Sequence, residues 1–384
     1  MSKYLIKGAS LYGEKVADIL IEDGVISRIA ENIDAADAQV VEAAGQVALP
    51  GLVDIHTHLR QPGYEASETV ETGTRAAALG GYTAVFAMAN STANVRVFSD
   101  DGMCVYDPAV MRRALEYVKT FDGVIAQHAQ EPRLTEGAQM NEGKVSADLG
   151  LAGWPAVAEE AIIARDVLLA EHLDSKLHIC HLSTKGSIEV VRWAKSRGVK
   201  VTAEATPHHL LLTDETARTY DPVFKVNPPL RTEEDVMALR QAVADGIIDV
   251  IGTDHAPHPA ETKECEWACA ANGMTGLEQA LSIIQMTLVD TGMITWRDVA
   301  RILSEEPAKI GRLDHEQGRP LAEGEPANIV LVDPKATRVI KPEEQATKGK
   351  NNPYRDMEVP GSIRATFYAG HPTVLNGELA TPRR

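Results

Sequence analysis

The sequence predicts an α/β protein built on a (β/α)8 barrel, with a small β domain formed by the two termini. Three observations lead to this fold class. Strand and helix patterns alternate between residues 51 and 314, which is typical of a parallel sheet covered by helices. Both ends of the chain carry short strand patterns instead. Each predicted barrel strand ends in or beside a polar residue, and the active face of such a barrel lies at those strand ends.

The small domain is predicted from residues 1–50 together with 315–384. Short apolar stretches in both segments read as strands, and turn residues such as Asp23-Gly24 separate them. Because the two ends share this character, we expect one β-sandwich domain made from both. Its predicted strands are Tyr4–Gly8, Ala17–Glu22, Val25–Ala30, Gln46–Pro50, Ala327–Asp333, Ile363–Gly370 and Thr373–Gly377.

Seven strands and several helices are predicted in the barrel region, residues 51–314. The strands are Leu52–His58, Thr83–Ala89, Val95–Ser99, Val124–His128, Leu177–Ser183, Lys200–Thr206 and Asp249–His255. The helices are Glu68–Leu79, Ala109–Val118, Ala156–Glu171, Ser187–Arg197 and Glu233–Asp245.

The connection between the second and third predicted strands is too short. Only residues Asn90–Asn94 separate them, whereas a crossover between parallel neighbours needs about a dozen residues or more. We therefore expect that a segment holding one barrel strand and its flanking helices is missing between Asn90 and Val95. The alternative is that Val95–Ser99 is not a barrel strand.

Composition and charge narrow the class of partner. The chain has 384 residues and a formal net charge of −17, which argues against binding to nucleic acid or to an anionic membrane. A few local cations could still bind an anionic substrate. We find no apolar signal core and no stretch of membrane-spanning length. The four cysteines are scattered, which favours a reducing cytoplasm.

Histidines and aspartates at the strand ends predict a metal site. His56 and His58 lie two residues apart on one strand, so their side chains share a face and can converge on one ion. Buried carboxylates need a charged partner or a metal. The candidates at other strand ends are Asp100–Asp101, His128, His181 and Asp254. Four histidines and two carboxylate sites exceed one tetrahedral zinc site and fit two metal ions that share a bridging carboxylate and hydroxide.

Other polar residues near these strands are assigned supporting roles. His178 lies three residues before His181, so on a regular strand it faces the other way. Asp54 shares the face of His56 but lies deeper, and we expect it to orient a ligand imidazole. His208 and His209 could line the pocket, although a structural role is favoured.

Seven motifs are spread along nearly the whole chain. They are Asp54–Gly63 (DIHTHLRQPG), Ala87–Asn90 (AMAN), Phe98–Gly102 (FSDDG), His178–Thr184 (HICHLST), Thr206–His209 (TPHH), Lys225–Arg231 (KVNPPLR) and Thr253–His258 (TDHAPH). Together they resemble the motifs of type I dihydroorotases of the amidohydrolase superfamily, most of all the actinobacterial members. The resemblance implies a distorted, TIM-like metal-dependent hydrolase barrel.

The resemblance also implies an activity and a set of metal ligands. The activity is the reversible cyclisation of N-carbamoyl-L-aspartate to L-dihydroorotate in pyrimidine biosynthesis. Asp101, chosen over Asp100 from its spacing to His128, would bridge two zinc ions. The other implied ligands are His56, His58 and Asp254 for the first zinc, and His128 and His181 for the second. A hydroxide between the zincs would attack the ring amide, with Asp254 as general acid and base.

The implied substrate residues surround the same strand ends. By resemblance, Arg60 would bind the substrate α-carboxylate with help from Asn90 and His258. Asn227 and the backbone at Asn272–Gly273 would hold the ureide ring, and His58 is also expected near the substrate.

The chain departs from the family pattern in two places. Gln61 stands where the family usually has Glu, and the stretch from Asn90 to Asp101 is much shorter than in the family. Loss of a barrel strand would expose unpaired strand edges. Two alternatives therefore stay open. One is another cyclic amidohydrolase, such as a hydantoinase or allantoinase. The other is a non-catalytic structural partner, for example of aspartate transcarbamoylase. A homo-oligomer is also possible on this sequence.

Overall fold

The computed structural model describes residues 3–88 and 96–381. The chain opens with five strands: β1 (Lys3–Leu11), β2 (Lys15–Glu22), β3 (Val25–Ala30), β4 (Gln39–Glu42) and β5 (Val47–Pro50). β1, β2 and β3 form an antiparallel meander. The predicted turn between β2 and β3 has positive φ at both Asp23 (52°) and Gly24 (87°), the backbone that a two-residue hairpin turn requires.

The middle of the chain alternates strands and helices, as predicted. Its strands are β6 (Leu52–Thr57), β7 (Tyr82–Ala87), β8 (Val97–Ser99), β9 (Val124–Gln127), β10 (Met140–Asn141), β11 (Gly153–Trp154), β12 (Lys176–Ile179), β13 (Val201–Ala205) and β14 (Val250–Ile251). Its helices are α1 (Val70–Leu79), α2 (Pro108–Lys119), α3 (Lys144–Leu149), α4 (Val157–Leu173), α5 (Lys185–Ser196), α6 (Glu233–Ala244), α7 (Ala260–Lys263), α8 (Ala280–Ile284), α9 (Trp296–Ala300) and α10 (Glu306–Ile310). Short 3-10 helices lie at Asp214–Thr219, Pro222–Phe224, Trp267–Cys269 and Pro342–Glu344, and π-turns at Gln285–Val289 and Arg301–Glu305.

Local sequence explains why the barrel helices begin where they do. Asp107 caps α2 through the backbone N–H groups of Ala109 and Val110, and Pro108 occupies the first turn, where its missing N–H costs nothing. The buried face of α2 carries Met111, Leu115 and Val118, which pack with Ile125 of β9. Full burial of each such side chain contributes about 1.5–3 kcal/mol, so packing holds α2 against the sheet.

The parallel strands form two groups that meet at their carboxyl ends. β8, β9, β12, β13 and β14 form one sheet in that order, and β6 pairs with β7 in the other. A parallel bridge joins Thr57 to His255, and the His58 N–H donates to the His255 carbonyl at 2.9 Å. β8 pairs in parallel with β9, so the alternative that this segment lies outside the barrel is wrong.

The barrel has a discontinuity between β7 and β8. Among the described residues no ladder joins these two strands, and Phe98 of β8 is 37% exposed. The predicted missing strand refers to residues 90–95, which lie outside the described part of the chain. Seven of the nine middle strands correspond to the seven predicted ones, and the other two, β10 and β11, form a separate two-stranded sheet. The fold is a distorted TIM-like barrel.

The last strands return to the first. They are β15 (Ile329–Val339), β16 (Glu358–Tyr368), β17 (His371–Leu375) and β18 (Glu378–Leu379). β15 pairs with β5, which unites both termini in one nine-stranded sheet. Tyr4 and Phe367 meet edge-to-face in its core, with ring centroids 5.4 Å apart. The division into a β-sandwich domain (1–50 plus 315–384) and a barrel (51–314) stays a prediction. No helix in the described ranges is long and apolar enough to cross a membrane.

A buried glutamate joins the returning strands to the barrel. The Glu278 carboxylate accepts the N–H of Thr347 at 3.2 Å, and Arg338 of β15 donates to the Glu278 backbone carbonyl at 2.6 Å. Burial raises the pKa of Glu278 from 4.5 to about 7. The folded protein therefore binds this proton more tightly than the unfolded chain does.

We expect the wild-type protein to lose stability as Glu278 ionises with rising pH, and we expect Glu278→Gln to remove this loss. In the wild type, the protonated Glu278 carboxyl stabilises the folded state fully below about pH 4.5, and this stabilisation is lost as the pH rises towards about 7. The free energy of unfolding then falls by at most about 1.4 kcal/mol per pH unit. Urea unfolding at several pH values should show the variant gaining free energy of unfolding relative to the wild type across this window. A difference that does not change with pH would contradict this assignment.

Candidate metal and substrate site

The six predicted metal ligands converge at the carboxyl ends of the barrel strands. Parallel strands place these ends on one face, so residues far apart in sequence become neighbours. Two overlapping groups have ligand atoms within 4.8 Å of one another: His56, His58, Asp101 and Asp254, and Asp101, His128 and His181. Asp101 is the member that both groups share.

The Asp101 carboxylate lies between the imidazoles. Its Oδ2 is 2.9 Å from His58 Nε2, and its Oδ1 is 3.3 Å from His56 Nε2. The same Oδ1 is 3.7 Å from His128 Nδ1 and 3.6 Å from His181 Nε2. The Asp101 side chain is 4% exposed, whereas Asp100 is exposed. The structure therefore places Asp101 in the cluster and leaves Asp100 on the surface.

Asp254 completes the cluster from the opposite side. Its Oδ1 is 3.5 Å from His56 Nε2 and 3.4 Å from His58 Nε2. Burial alone would raise the pKa of Asp254, but the His58 hydrogen bond and the nearby histidine charges outweigh it and lower the pKa to about 2. Asp254 is therefore ionised at neutral pH.

The donor set fits metal ions. His56 Nε2 and Asp101 Oδ1 are buried, and although they lie 3.3 Å apart, neither makes a hydrogen bond of good geometry. A buried polar atom without such a bond costs about 1–3 kcal/mol. Imidazole nitrogens and carboxylate oxygens are the ligands that divalent transition metals prefer. A cation placed among these atoms would satisfy both orphaned atoms at once.

The backbone at three site residues adopts positive φ. The values are 58° at Arg60, 32° at His181 and 44° at Asp254. Each such residue costs about 1–3 kcal/mol and persists only when its surroundings hold it. At His181 and Asp254 this backbone follows strands β12 and β14, where the side chains turn into the cluster.

Glu204 supports the cluster, and the sequence analysis missed it. Its Oε1 contacts His56 Nδ1 and accepts the His181 N–H at 2.9 Å, and its Oε2 is 3.2 Å from His178 Nε2. Burial alone would raise the pKa of Glu204, but the charge of His56 and the hydrogen bonds from His178 and His56 hold it below its usual range. A single acidic residue within the apolar strand β13 was the available signal.

Asp54 and His209 have structural partners. The Asp54 Oδ1 accepts the backbone N–H groups of His56 and Thr253, both at 3.1 Å. Asp54 therefore holds the backbone of the ligand residue His56, whereas Glu204 contacts the His56 ring. His209 Nδ1 is 2.7 Å from Thr206 Oγ1, and its Nε2 is 3.1 Å from the Pro228 carbonyl.

A cavity of about 370 Å³ opens beside the cluster. Most of the predicted substrate residues line it: His58, Arg60, Asn227, His258, Asn272 and Gly273. Asn90 lies outside the described residues. Asn227 Oδ1 is buried and has no hydrogen-bond partner, so this lining residue keeps an unpaired acceptor.

The Arg60 side of the cavity carries the positive charge. Arg60 Nε donates to the Pro257 carbonyl at 3.3 Å. Burial lowers the pKa of the neighbouring His258 to about 4, so His258 is neutral at pH 7, and it contacts the Asn272 carbonyl at 2.7 Å. The Gly273 N–H donates to the Lys225 carbonyl, and the Gly273 carbonyl accepts from Asn351.

Comparison with known proteins places this geometry in a family. The amidohydrolase family model matches residues 47–373. A dihydroorotase of Streptomyces coelicolor is 56% identical over 99% of this chain and 100% of its own length. A dihydroorotase of Mycobacterium tuberculosis is 47% identical over 98% of this chain and 99% of its own. The solved L-hydantoinase (dihydropyrimidinase) of Arthrobacter aurescens has a TM-score of 0.89 at 23% identity, covering 99% of this chain and 98% of its own.

The relatives are longer than this chain at an internal position. The match to the Streptomyces protein extends over 428 residues, whereas this chain has 384, so the difference of at least 44 residues has no counterpart here. Because the match covers nearly all of both chains, these residues are absent from the interior. That agrees with the predicted loss of a segment, whose place between Asn90 and Val95 stays a prediction.

Removal of the Glu204 carboxylate should destabilise the fold strongly. Glu204→Ala leaves His56, His178 and the His181 N–H without their acceptor, and loss of one partner of a buried charged pair costs about 3–5 kcal/mol. Glu204→Gln keeps one acceptor oxygen and should cost less. Urea unfolding measures both, with the exposed Glu189→Ala as a control expected to change stability by about 0.5 kcal/mol or less. Equal losses for Glu204→Ala and Glu189→Ala would refute this role.

Proposed function

The chain belongs to the amidohydrolase family and, within it, to the dihydroorotases, and we propose that it interconverts N-carbamoyl-L-aspartate and L-dihydroorotate. This is a step of pyrimidine biosynthesis, which we place in the cytoplasm. The observation that supports the proposal is that Arg60 and Asn227 line the same cavity as the candidate metal ligand Asp101. A small anionic cyclic amide needs both a cation for its carboxylate and polar groups at its ring.

We assign the cluster to two divalent metal ions, and zinc is the proposed metal. His56, His58 and Asp254 would hold one ion. His128 and His181 would hold the other, and Asp101 would contact both ions. The sharing of Asp101 by the two ligand groups supports this assignment. Such ions, when bound, lower the pKa of water towards neutrality and polarise the amide carbonyl.

Asp254 is the proposed general acid and base. It is ionised, buried and on the cavity wall, so it can accept a proton from the attacking water during hydrolysis and deliver it to the leaving ring nitrogen. In the biosynthetic direction it removes a proton from the carbamoyl nitrogen, and ring closure releases water. One carboxylate thus serves both directions.

Arg60 is the proposed binding group for the substrate carboxylate. Its guanidinium fork matches a carboxylate. His258 is proposed to lie beside that carboxylate as a neutral ring whose Nε2–H donates to the Asn272 carbonyl. His58 and Asn90 are proposed to lie near the same substrate. Asn227 would accept a ring N–H through its free Oδ1.

The Asn272–Gly273 turn is the proposed wall beside the ring. Gly273 has φ of 142°, and an added Cβ would lie 2.8 Å from His258 Nε2 and 2.9 Å from the Ala256 Cβ. Only glycine fits there. Since the Gly273 N–H and carbonyl already have partners, we propose that this turn acts mainly by shaping the wall and by supporting His258.

Two other functions can be tested against this one. Hydantoinases share the fold, but 23% identity with the Arthrobacter structure carries no substrate information. The shorter chain favours a non-catalytic role, such as a structural partner of aspartate transcarbamoylase or of a second copy of this chain. The complete ligand cluster favours catalysis, because a purely structural subunit gains nothing from two orphaned buried atoms.

The proposed function is tested by substrate comparison and metal analysis on the purified full-length chain. We expect hydrolysis of L-dihydroorotate to exceed that of hydantoin and allantoin, and mass spectrometry to find about two zinc ions per chain, as a dinuclear site requires. Preference for hydantoin or allantoin would move the assignment to that enzyme. Absence of both turnover and metal would support the structural-partner alternative.

Asp254→Asn should abolish most turnover without unfolding the protein. The amide cannot act as a base, and loss of such a group lowers kcat by about 100- to 10,000-fold. Asp249→Asn is the matched control, because Asp249 lies just before the same strand and pairs with Lys195 at 2.7 Å, away from the cavity. Steady-state kinetics and metal analysis distinguish the two variants. Near-normal kcat in metal-loaded Asp254→Asn would exclude the proton-transfer role.

A further inference from the structure

Gln130 lies behind both the metal cluster and the substrate wall. Its Oε1 is 2.9 Å from His128 Nε2 and 3.0 Å from Asn227 Nδ2. Its Nε2 is 2.8 Å from Thr135 Oγ1. Gln130 thus connects a candidate metal ligand from one strand with a candidate substrate residue that is 97 positions away in sequence.

Thr135 determines which way the Gln130 amide points. The Thr135 hydroxyl lies 3.3 Å from the Glu131 carbonyl and 3.4 Å from the Pro132 carbonyl. Carbonyl oxygens only accept hydrogen bonds, so the Thr135 O–H points to them and its oxygen is free to accept. The Gln130 NH2 accordingly donates to the Thr135 oxygen at 2.8 Å, and the Gln130 carbonyl oxygen faces the site.

The orientation of Gln130 determines the hydrogen-bonding direction of His128. Since Oε1 can only accept, His128 carries a proton on Nε2, and in the neutral ring Nδ1 keeps its lone pair as an acceptor. That Nδ1 faces the cluster, 2.8 Å from His181 Nε2 and 3.7 Å from Asp101 Oδ1. A metal ligand must present a lone pair, so this is the tautomer that the site needs.

The same oxygen determines the orientation of the Asn227 amide. Asn227 must donate to it through Nδ2, which turns its own Oδ1 away from Gln130. Oδ1 is the buried atom without a partner on the residue that lines the cavity. Asn227 therefore keeps an unpaired acceptor next to the cavity, and a substrate N–H is a group that would satisfy it.

We propose that Gln130, oriented by Thr135, is a positioning residue that fixes both the metal-binding tautomer of His128 and the acceptor orientation of Asn227. The carbonyls of residues 131 and 132 orient the Thr135 hydroxyl, which orients the Gln130 amide. Gln130 in turn sets which atoms of His128 and Asn227 donate and which accept. The Asn227 half rests on the proposed function, because it concerns that substrate. The His128 half concerns metal affinity alone.

The test replaces Thr135, which does not line the cavity, and measures metal affinity and kinetics separately. In Thr135→Val the acceptor for the Gln130 NH2 is lost, so the amide can turn over. We expect zinc affinity, measured by chelator competition on the apo protein, to fall about 10- to 100-fold, and the KM for L-dihydroorotate to rise. Thr135→Ser keeps the hydroxyl and should restore both values.

The matched control is Thr287→Val. Thr287 is 2% exposed, and its hydroxyl donates to the Ile283 carbonyl at 2.7 Å within a helical segment away from the site. It should lose stability in thermal unfolding but keep zinc affinity and KM. If Thr135→Val fails to fold, Gln130→Glu and Gln130→Leu replace it. The glutamate retains acceptor oxygens and should keep zinc affinity, whereas the leucine should lose it.

The outcomes separate this inference from the proposed function. Folded Thr135→Val with wild-type zinc affinity and KM overturns the inference. Loss of zinc affinity in a protein whose wild type does not act on L-dihydroorotate supports the His128 half and refutes the proposed function. Loss of both in Thr135→Val, with recovery in Thr135→Ser, supports the whole inference.

Discussion

The buried carboxylate of Asp101 is the group on which the site depends. Four imidazoles from three other strands surround it within 3.7 Å, and burial of a charge is tolerated only with such compensation. His56 and His58 come from the carboxyl end of β6, His128 follows β9, and His181 follows β12. The barrel register is therefore tied to the site, because a strand shifted by one residue would turn its ligand away.

The groups that orient the ligands lie one layer behind the cluster. Glu204 contacts the His56 ring and the His181 backbone, Gln130 accepts from His128, and Asp54 holds the backbone of His56. All three are buried or partly buried acceptors. Metal-binding imidazoles need such acceptors to fix their tautomer and direction, so the chemistry of the site extends beyond the residues that face the cavity.

The barrel is less complete than the cluster it carries. No ladder joins β7 to β8 among the described residues, and relatives at 47–56% identity are longer in the interior. The cluster survives because its ligands come from β6 and from the continuous sheet β8–β14, which meet at the Thr57–His255 bridge on the other side. The unpaired edge of β7 in the described structure is expected to lower the stability of the barrel. It leaves the arrangement of the ligands unchanged.

Much of the fold was determined by local sequence. The apolar stretches predicted the seven barrel strands, helix periodicity predicted α1, α2, α4, α5 and α6 to within about two residues, and His56 and His58 indicated the metal site. The tertiary structure alone decided which distant groups meet at the site. Glu204 contacts His56 across 148 residues and Gln130 contacts Asn227 across 97, and no periodicity encodes such pairs. Strand periodicity depends on a residue's immediate neighbours, whereas a hydrogen-bond partner depends on how distant strands meet.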